Sequence, residues 1–106
     1  MNKDTKEKIT QLQNLEQNIN NLIAQKQQFQ AQNIEVENAL SQLDSTDKVF
    51  SILGNIMVSS TKVNVKKDLK DKQEIINIRL KTMEKQEDKL RAQAKEIQKE
   101  VMKEIK

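Results

Sequence analysis

From Leu12, steps of alternately three and four residues land on Leu12, Leu15, Ile19, Leu22, Lys26, Phe29, Asn33, Val36, Leu40 and Leu43, and eight of these ten positions are apolar. That is the 3.5-residue repeat of a coiled-coil seam, and Gln, Asn and Glu fill most of the places between. The same walk through the second half visits Leu69, Gln73, Ile76, Leu80, Met83, Glu87, Leu90, Ala94, Ile97 and Val101, again with eight apolar residues out of ten. Each stripe belongs to a helix of roughly 35 to 40 residues, about 50 to 60 Å long at the helical rise. A lone helix of this composition is marginal in water and leaves its stripe wet. Two stripes of equal length in one chain are covered most simply when the chain folds back and they face each other.

Composition agrees with an elongated fold. At 106 residues, 35% hydrophobic, 33% charged and 2% aromatic, the chain forms one domain, residues 1–106, with too little apolar bulk for a sizeable globular core. Disorder is the competing expectation for such a composition, but disordered chains are usually rich in Pro and Gly, and here there is no Pro and one Gly. The expected class is mainly α: a long antiparallel helical-hairpin coiled coil, with helices over about 5–45 and 63–105.

Between the seams the texture changes. Lys48 to Thr61 is rich in β-branched residues, Ser and Thr, and the helical period vanishes. Two short apolar runs flank Gly54-Asn55, which predicts a β-hairpin over about 47–60 with both turn residues at positive φ. Asp44 to Asp47 form a polar break that closes the first helix, while Thr61 and Asn64 compete to cap the second. An isolated two-stranded hairpin is unstable in water, and Val49, Phe50, Ile52, Ile56, Met57 and Val58 are too many apolar groups for one helix pair to cover. Hairpins from several copies or relatives pairing edge to edge solve both problems, so the chain is expected to be a protomer.

The residue inventory excludes much chemistry. Without Cys or His there is no disulfide, no thiol nucleophile and no usual zinc ligand set; no metal, cofactor or catalytic constellation is expected, and the carboxylates lie along helix faces without a pocket or phosphate loop. No apolar run approaches a membrane span and the first residues are polar, which predicts a cytoplasmic protein without a membrane partner. The net charge of +3 raises nucleic acid, but Lys residues interleave with Asp and Glu, as in Lys66 to Lys72, and no aromatic ring sits among them to stack on bases. No nucleic-acid partner is expected. Spacings such as Asp68 to Lys72, Glu87 to Arg91, and Lys95, Lys99 and Lys103 beside Glu96, Glu100 and Glu104 read as solvated helix surface.

The stretch Val49 to Val58, together with Arg79-Leu80-Lys81-Thr82-Met83-Glu84-Lys85-Gln86-Glu87, resembles archaeal-type prefoldin beta subunits, and the likeness spans nearly the whole chain. In that family alpha-type subunits carry two hairpins and beta-type subunits one, and Asp47 to Ser60 has room for one. The resemblance implies a hexamer with two alpha and four beta subunits, whose hairpins form a β-barrel platform bearing six coiled coils. It further implies capture of unfolded client proteins at the coil ends and delivery to a group II chaperonin without nucleotide hydrolysis. Many members continue beyond the position of Lys106, so contacts made by such an extension are not carried over.

In a hairpin both termini meet at one end of the coil, where Ile9, Met102 and Ile105 fall off the seam register. Ile9, Leu12, Ile97, Val101, Met102 and Ile105 are therefore expected to contact clients, flexible apolar groups suiting partners of no fixed sequence. The hairpin residues Val49, Phe50, Ile52, Gly54, Asn55, Ile56, Met57 and Val58 are assigned to oligomerisation. A passive coiled-coil scaffold that only oligomerises is the alternative. Symmetry about Gly54-Asn55 also sets Lys26 within a turn of Glu87, either as a register-fixing pair or as two side chains reaching separately to solvent.

Overall fold

The computed structural model describes residues 2–105. In chain order they form helix α1 (Lys3–Leu43), strands β1 (Val49–Leu53) and β2 (Ile56–Ser60), and helix α2 (Lys62–Ile105). The chain divides into two compact units, one holding α1 up to Gln27 with α2 from Lys81 onward, the other Gln28–Leu80.

Each helix begins on a side-chain cap. Asn2 opens α1: its carboxamide oxygen accepts from the Thr5 N–H at 2.8 Å and its carbonyl accepts from the Lys6 N–H. The Thr61 hydroxyl accepts from the Asn64 N–H at 3.2 Å, which settles the competition between the two candidate caps in favour of Thr61. At its other end α1 unwinds through Ser45 and Thr46, whose N–H groups donate to the carbonyls of Gln42 and Leu43. Both hydroxyls turn back onto the Gln42 carbonyl, satisfying an acceptor the helix leaves open.

In the unit that carries the chain ends, Ile19, Leu22 and Val101 are buried, and Leu12, Leu15, Met83, Leu90, Ala94 and Ile97 are half-buried. Lys26 and Glu87 occupy seam positions and meet there, with Nζ 3.0 Å from Oε1, while the second Glu87 oxygen accepts from Arg91 Nε at 2.9 Å. Of the two alternatives for this pair, the structure has the paired one. Both cations draw the Glu87 carboxyl below its ordinary range, Lys26 most strongly, against an opposing effect of burial.

In the other unit, Val36, Leu43 and Ile76 are buried, Ile76 to 2% exposure, and Phe29, Leu40, Leu69 and Leu80 are half-buried. The Arg79 guanidinium lies over the Phe29 ring, 5.7 Å from its centre. Asn33, a polar seam position, donates from Nδ2 to Asn77 Oδ1 at 3.3 Å, and its own Oδ1 is buried without a partner. Gln73 donates to Glu37 across the same pair of helices.

The strands pair antiparallel from Val49↔Ser60 to Leu53↔Ile56, leaving Gly54 and Asn55 as the loop. Gly54 has φ +63°, and no non-glycine residue has positive φ among the described residues. The expectation of two positive-φ turn residues is therefore corrected: a positive φ at the first central position alone is the type II′ arrangement, which matches the twist of the flanking strands and asks nothing unusual of Asn55.

Candidate functional site

The hairpin is the first candidate. Alternation along the paired strands sets Phe50, Ile52, Met57 and Ser59 on one face and Val49, Ser51, Leu53, Ile56, Val58 and Ser60 on the other. Phe50, Ile52 and Met57 are 52%, 70% and 64% exposed, and Leu53, Ile56 and Val58 are 67%, 65% and 40% exposed, so both faces are apolar and wet. Antiparallel sheets usually turn one polar face to solvent; this one has no such face. Each strand also pairs on one side only, which leaves an open row of backbone donors and acceptors along each outer edge. Sheet edges and two uncovered apolar faces together form a surface built to be buried by other strands.

The coil end is the second candidate, and here the six expected client contacts separate. Met102 and Ile105 are 54% and 58% exposed. Ile9, Leu12 and Ile97 are half-buried. Val101 is 7% exposed: it lies on the seam alternation and packs inside the coil.

Around Val101 the seam closes with a polar layer that a search for apolar positions passes over. Lys8 Nζ reaches Glu104 Oε1 at 2.5 Å and Glu100 Oε2 at 3.6 Å. The Thr5 hydroxyl, only 2% of whose residue surface is exposed, lies within reach of Asn2 Oδ1 at 2.8 Å and of the Glu104 carboxylate; having one proton, it donates to one of them at a time. The hydrogen bond from Lys8, then that from Thr5, draws the Glu104 carboxyl below its ordinary range, and the same bond to Glu104 raises Lys8. The signal was present in the sequence: stepping back from Leu12 by four and three reaches Lys8 and Thr5, and forward from Val101 by three reaches Glu104. Glu100 and Glu104 thus serve the opposite helix rather than the neighbouring lysines of α2. Among the described residues no ion pair joins Asp68 to Lys72, while Glu87 and Arg91 are paired.

Among the described residues no group of three or more Asp, Glu, Cys or His is placed to hold a metal ion, and no helix is long and apolar enough to cross a membrane.

Residues 6–106 match the family profile described as prefoldin subunit. The chain belongs to the prefoldin subunit family. Over 96 residues it is 36% identical to the prefoldin subunit beta of Sulfurisphaera tokodaii, covering 88% of this chain and 77% of that protein. It is 39% identical over 93 residues to the prefoldin subunit beta of Archaeoglobus fulgidus, covering 85% and 80%. The fold is similar to the crystal structure of the prefoldin beta subunit from Thermococcus strain KS-1, with a TM-score of 0.90 at 28% identity, covering 96% of this chain and 92% of that one. The beta-type resemblance drawn from the single hairpin and these archaeal relatives agree. As a prefoldin subunit the chain has a chaperone-type role and assembles with other prefoldin subunits. The wet hairpin has the surface such an assembly requires.

Proposed function

We propose that this chain is one of four beta protomers that join two alpha protomers in a cytoplasmic hexamer, with the hairpins closed into a β-barrel. The coil ends capture unfolded proteins and pass them to a group II chaperonin, with no nucleotide consumed. The observation that carries this reading is a hairpin with two wet apolar faces, together with a coil end where Met102 and Ile105 are exposed. The hairpin surface is contiguous and flanked by open strand edges, which suits permanent burial. At the coil end the apolar groups are few and flexible, which suits reversible contact with clients of no fixed sequence.

The test uses the hexamer reconstituted with an alpha-type subunit and a chemically denatured protein diluted into buffer. The intact assembly is expected to suppress aggregation at a near-stoichiometric ratio. Removal of the residues before Leu12 and after Ile97 is expected to leave the mass of the assembly unchanged and to abolish suppression. Full suppression by the shortened assembly would remove client capture from the coil ends, whereas an intact assembly that gives no protection would favour the passive-scaffold reading.

A further inference from the structure

In the unit that carries the chain ends, the two flanks of the coil differ. On one flank Asn18, Asn21, Gln25, Gln86 and Gln93 rim a groove of about 410 Å³ over Leu22 and Leu90. Gln11, Asn14 and Gln93 rim a second groove of the same volume, over Leu15 and Ile97, and the two grooves meet at Gln93. Seven carboxamides line this flank, with Lys89 and Glu96 as the charged groups among the lining residues. None of the seven makes a side-chain hydrogen bond among the described residues. The other flank of the same stretch mixes the carboxamides Gln13, Asn20 and Gln98 with five charged groups, Glu16, Glu84, Asp88, Arg91 and Lys95.

Positions beside a coiled-coil seam are ordinarily charged and paired across the interface. A carboxamide there gives up that ion pair. What it has instead is one acceptor oxygen and two donor hydrogens without net charge, the same hydrogen-bonding groups that a peptide bond offers. Such a rim matches an unfolded backbone whatever its side chains, and the Leu and Ile floor takes apolar side chains between the hydrogen bonds. From Gln11 to Gln25 the helix rises about 21 Å, which is the length of about six residues of extended chain. Ile97, already expected to meet clients, belongs to this floor.

We propose that this carboxamide-rimmed flank seats an extended, non-native polypeptide segment, its backbone hydrogen-bonded by the rim and its apolar side chains resting on Leu15, Leu22, Leu90 and Ile97. The inference rests on the client-capture reading and adds to the exposed coil end a second contact on the side of the coil. Because the lining holds one Lys and one Glu among seven carboxamides and so has no net charge, binding depends little on ionic strength and on the client's net charge.

The experiment measures the affinity of the reconstituted hexamer for fluorescently labelled, carboxymethylated lactalbumin, which cannot refold, by anisotropy. Three forms of this chain are compared with the wild type: N18E/Q25E/Q93E, N18K/Q25K/Q93K, and Q13E/N20E/Q98E on the other flank. All the replaced residues are exposed and the replacements favour helix, and circular dichroism and the mass of the hexamer check that the assembly is intact. Each Glu keeps acceptors but loses the amide donors, and each Lys keeps donors but loses the acceptor, so with the pairing to a peptide bond broken at three places Kd is expected to rise at least about tenfold in both forms. The form changed on the other flank is expected to stay within about twofold of the wild type.

If the Glu and Lys forms move in opposite directions, client charge governs binding and the proposal is wrong. Wild-type affinity in both forms overturns the flank as the seat while leaving client capture standing. A wild-type hexamer that does not bind the unfolded protein overturns the capture reading itself. A fall in the mass of the assembly with the Glu form makes the flank a contact between subunits, which also overturns the proposal.

Discussion

Ile52 and Met57 are directly opposed on one face of the hairpin, and both stand in water in the isolated chain. The double substitution Ile52→Ala/Met57→Ala therefore separates what the hairpin does for assembly from what it does for the protomer. Each replacement removes three heavy atoms. Burial is worth about 0.8 kcal/mol per methylene, and with 70% and 64% of the two residues still exposed, assembly has about two-thirds of that left to gain. The loss comes to about 1.5 kcal/mol per side chain, or about 3 kcal/mol for each protomer incorporated. At 1.4 kcal/mol per decade this weakens incorporation about a hundredfold. The assay is a concentration series of the chain mixed with an alpha-type subunit, followed by mass photometry or sedimentation. The midpoint of assembly should move to higher concentration by that factor, while the helical melting temperature of the dissociated chain stays within a degree or so, because nothing buried in the protomer has changed. An unmoved midpoint refutes the reasoning, and so does a loss that appears equally in the melting of the dissociated chain.

The seam makes the opposite prediction: Ile76→Ala, at a site 2% exposed, should cost about 2 to 5 kcal/mol in urea unfolding of the chain itself, and a cost near zero would mean that the helices do not rely on that layer. Gly54→Ala meets no atom within 4 Å, so its cost is the strain of holding an alanine at positive φ, about 1 to 3 kcal/mol, seen as faster amide exchange in β1 and β2 with α1 and α2 unchanged. Glu87 is held below its ordinary range, so its unfolded form takes up protons first on acidification; the stabilisation is complete above the ordinary carboxylate value and is lost as pH falls through the lowered one. The urea midpoint should therefore drop as pH falls through that window, and Glu87→Gln should flatten the slope; an unaltered slope would show that the pair with Lys26 does not form in solution. Lys8 carries the opposite sign: raised by Glu104, it stabilises at all pH values below its ordinary one and loses that contribution only as pH rises through the raised value, so Lys8→Met should flatten the alkaline limb of the same curve and also lessen the acid limb, because Glu104 loses the partner that lowers it most.

Much of this architecture could be read in advance because it depends on periodicity. The twenty positions reached by steps of three and four are all buried or half-buried, including the polar ones, Lys26, Asn33, Gln73 and Glu87. The hairpin was legible for a related reason: the helical period stops at Lys48 and two runs of strand-forming residues flank the one glycine. What composition does not report is position. Val101 is apolar and near the end of the chain, but the seam alternation reaches it and it is buried in the coil. Thr5, Lys8 and Glu104 are polar, yet the same alternation reaches them too and they close the seam. Asn55 was given a positive φ because Asn tolerates one, yet the two-residue loop requires it only of Gly54. The carboxamide flank was visible only as abundant Gln and Asn; that seven of them border continuous grooves depends on the register between the helices, which one strand of sequence does not display.

The loop of Gly54 and Asn55 has a consequence for how such chains can diverge. It joins Leu53 to Ile56 with no residue to spare, so a single inserted residue in either strand would exchange the two faces of everything beyond it. The helices obey a looser rule: seven residues added to both restore the seam, because the repeat that defines it has that length. Lineages can thus lengthen or shorten the arms in whole heptads while the hairpin stays fixed in size. Relatives with a single hairpin should differ in overall length mainly in multiples of seven on each side of a hairpin that does not change.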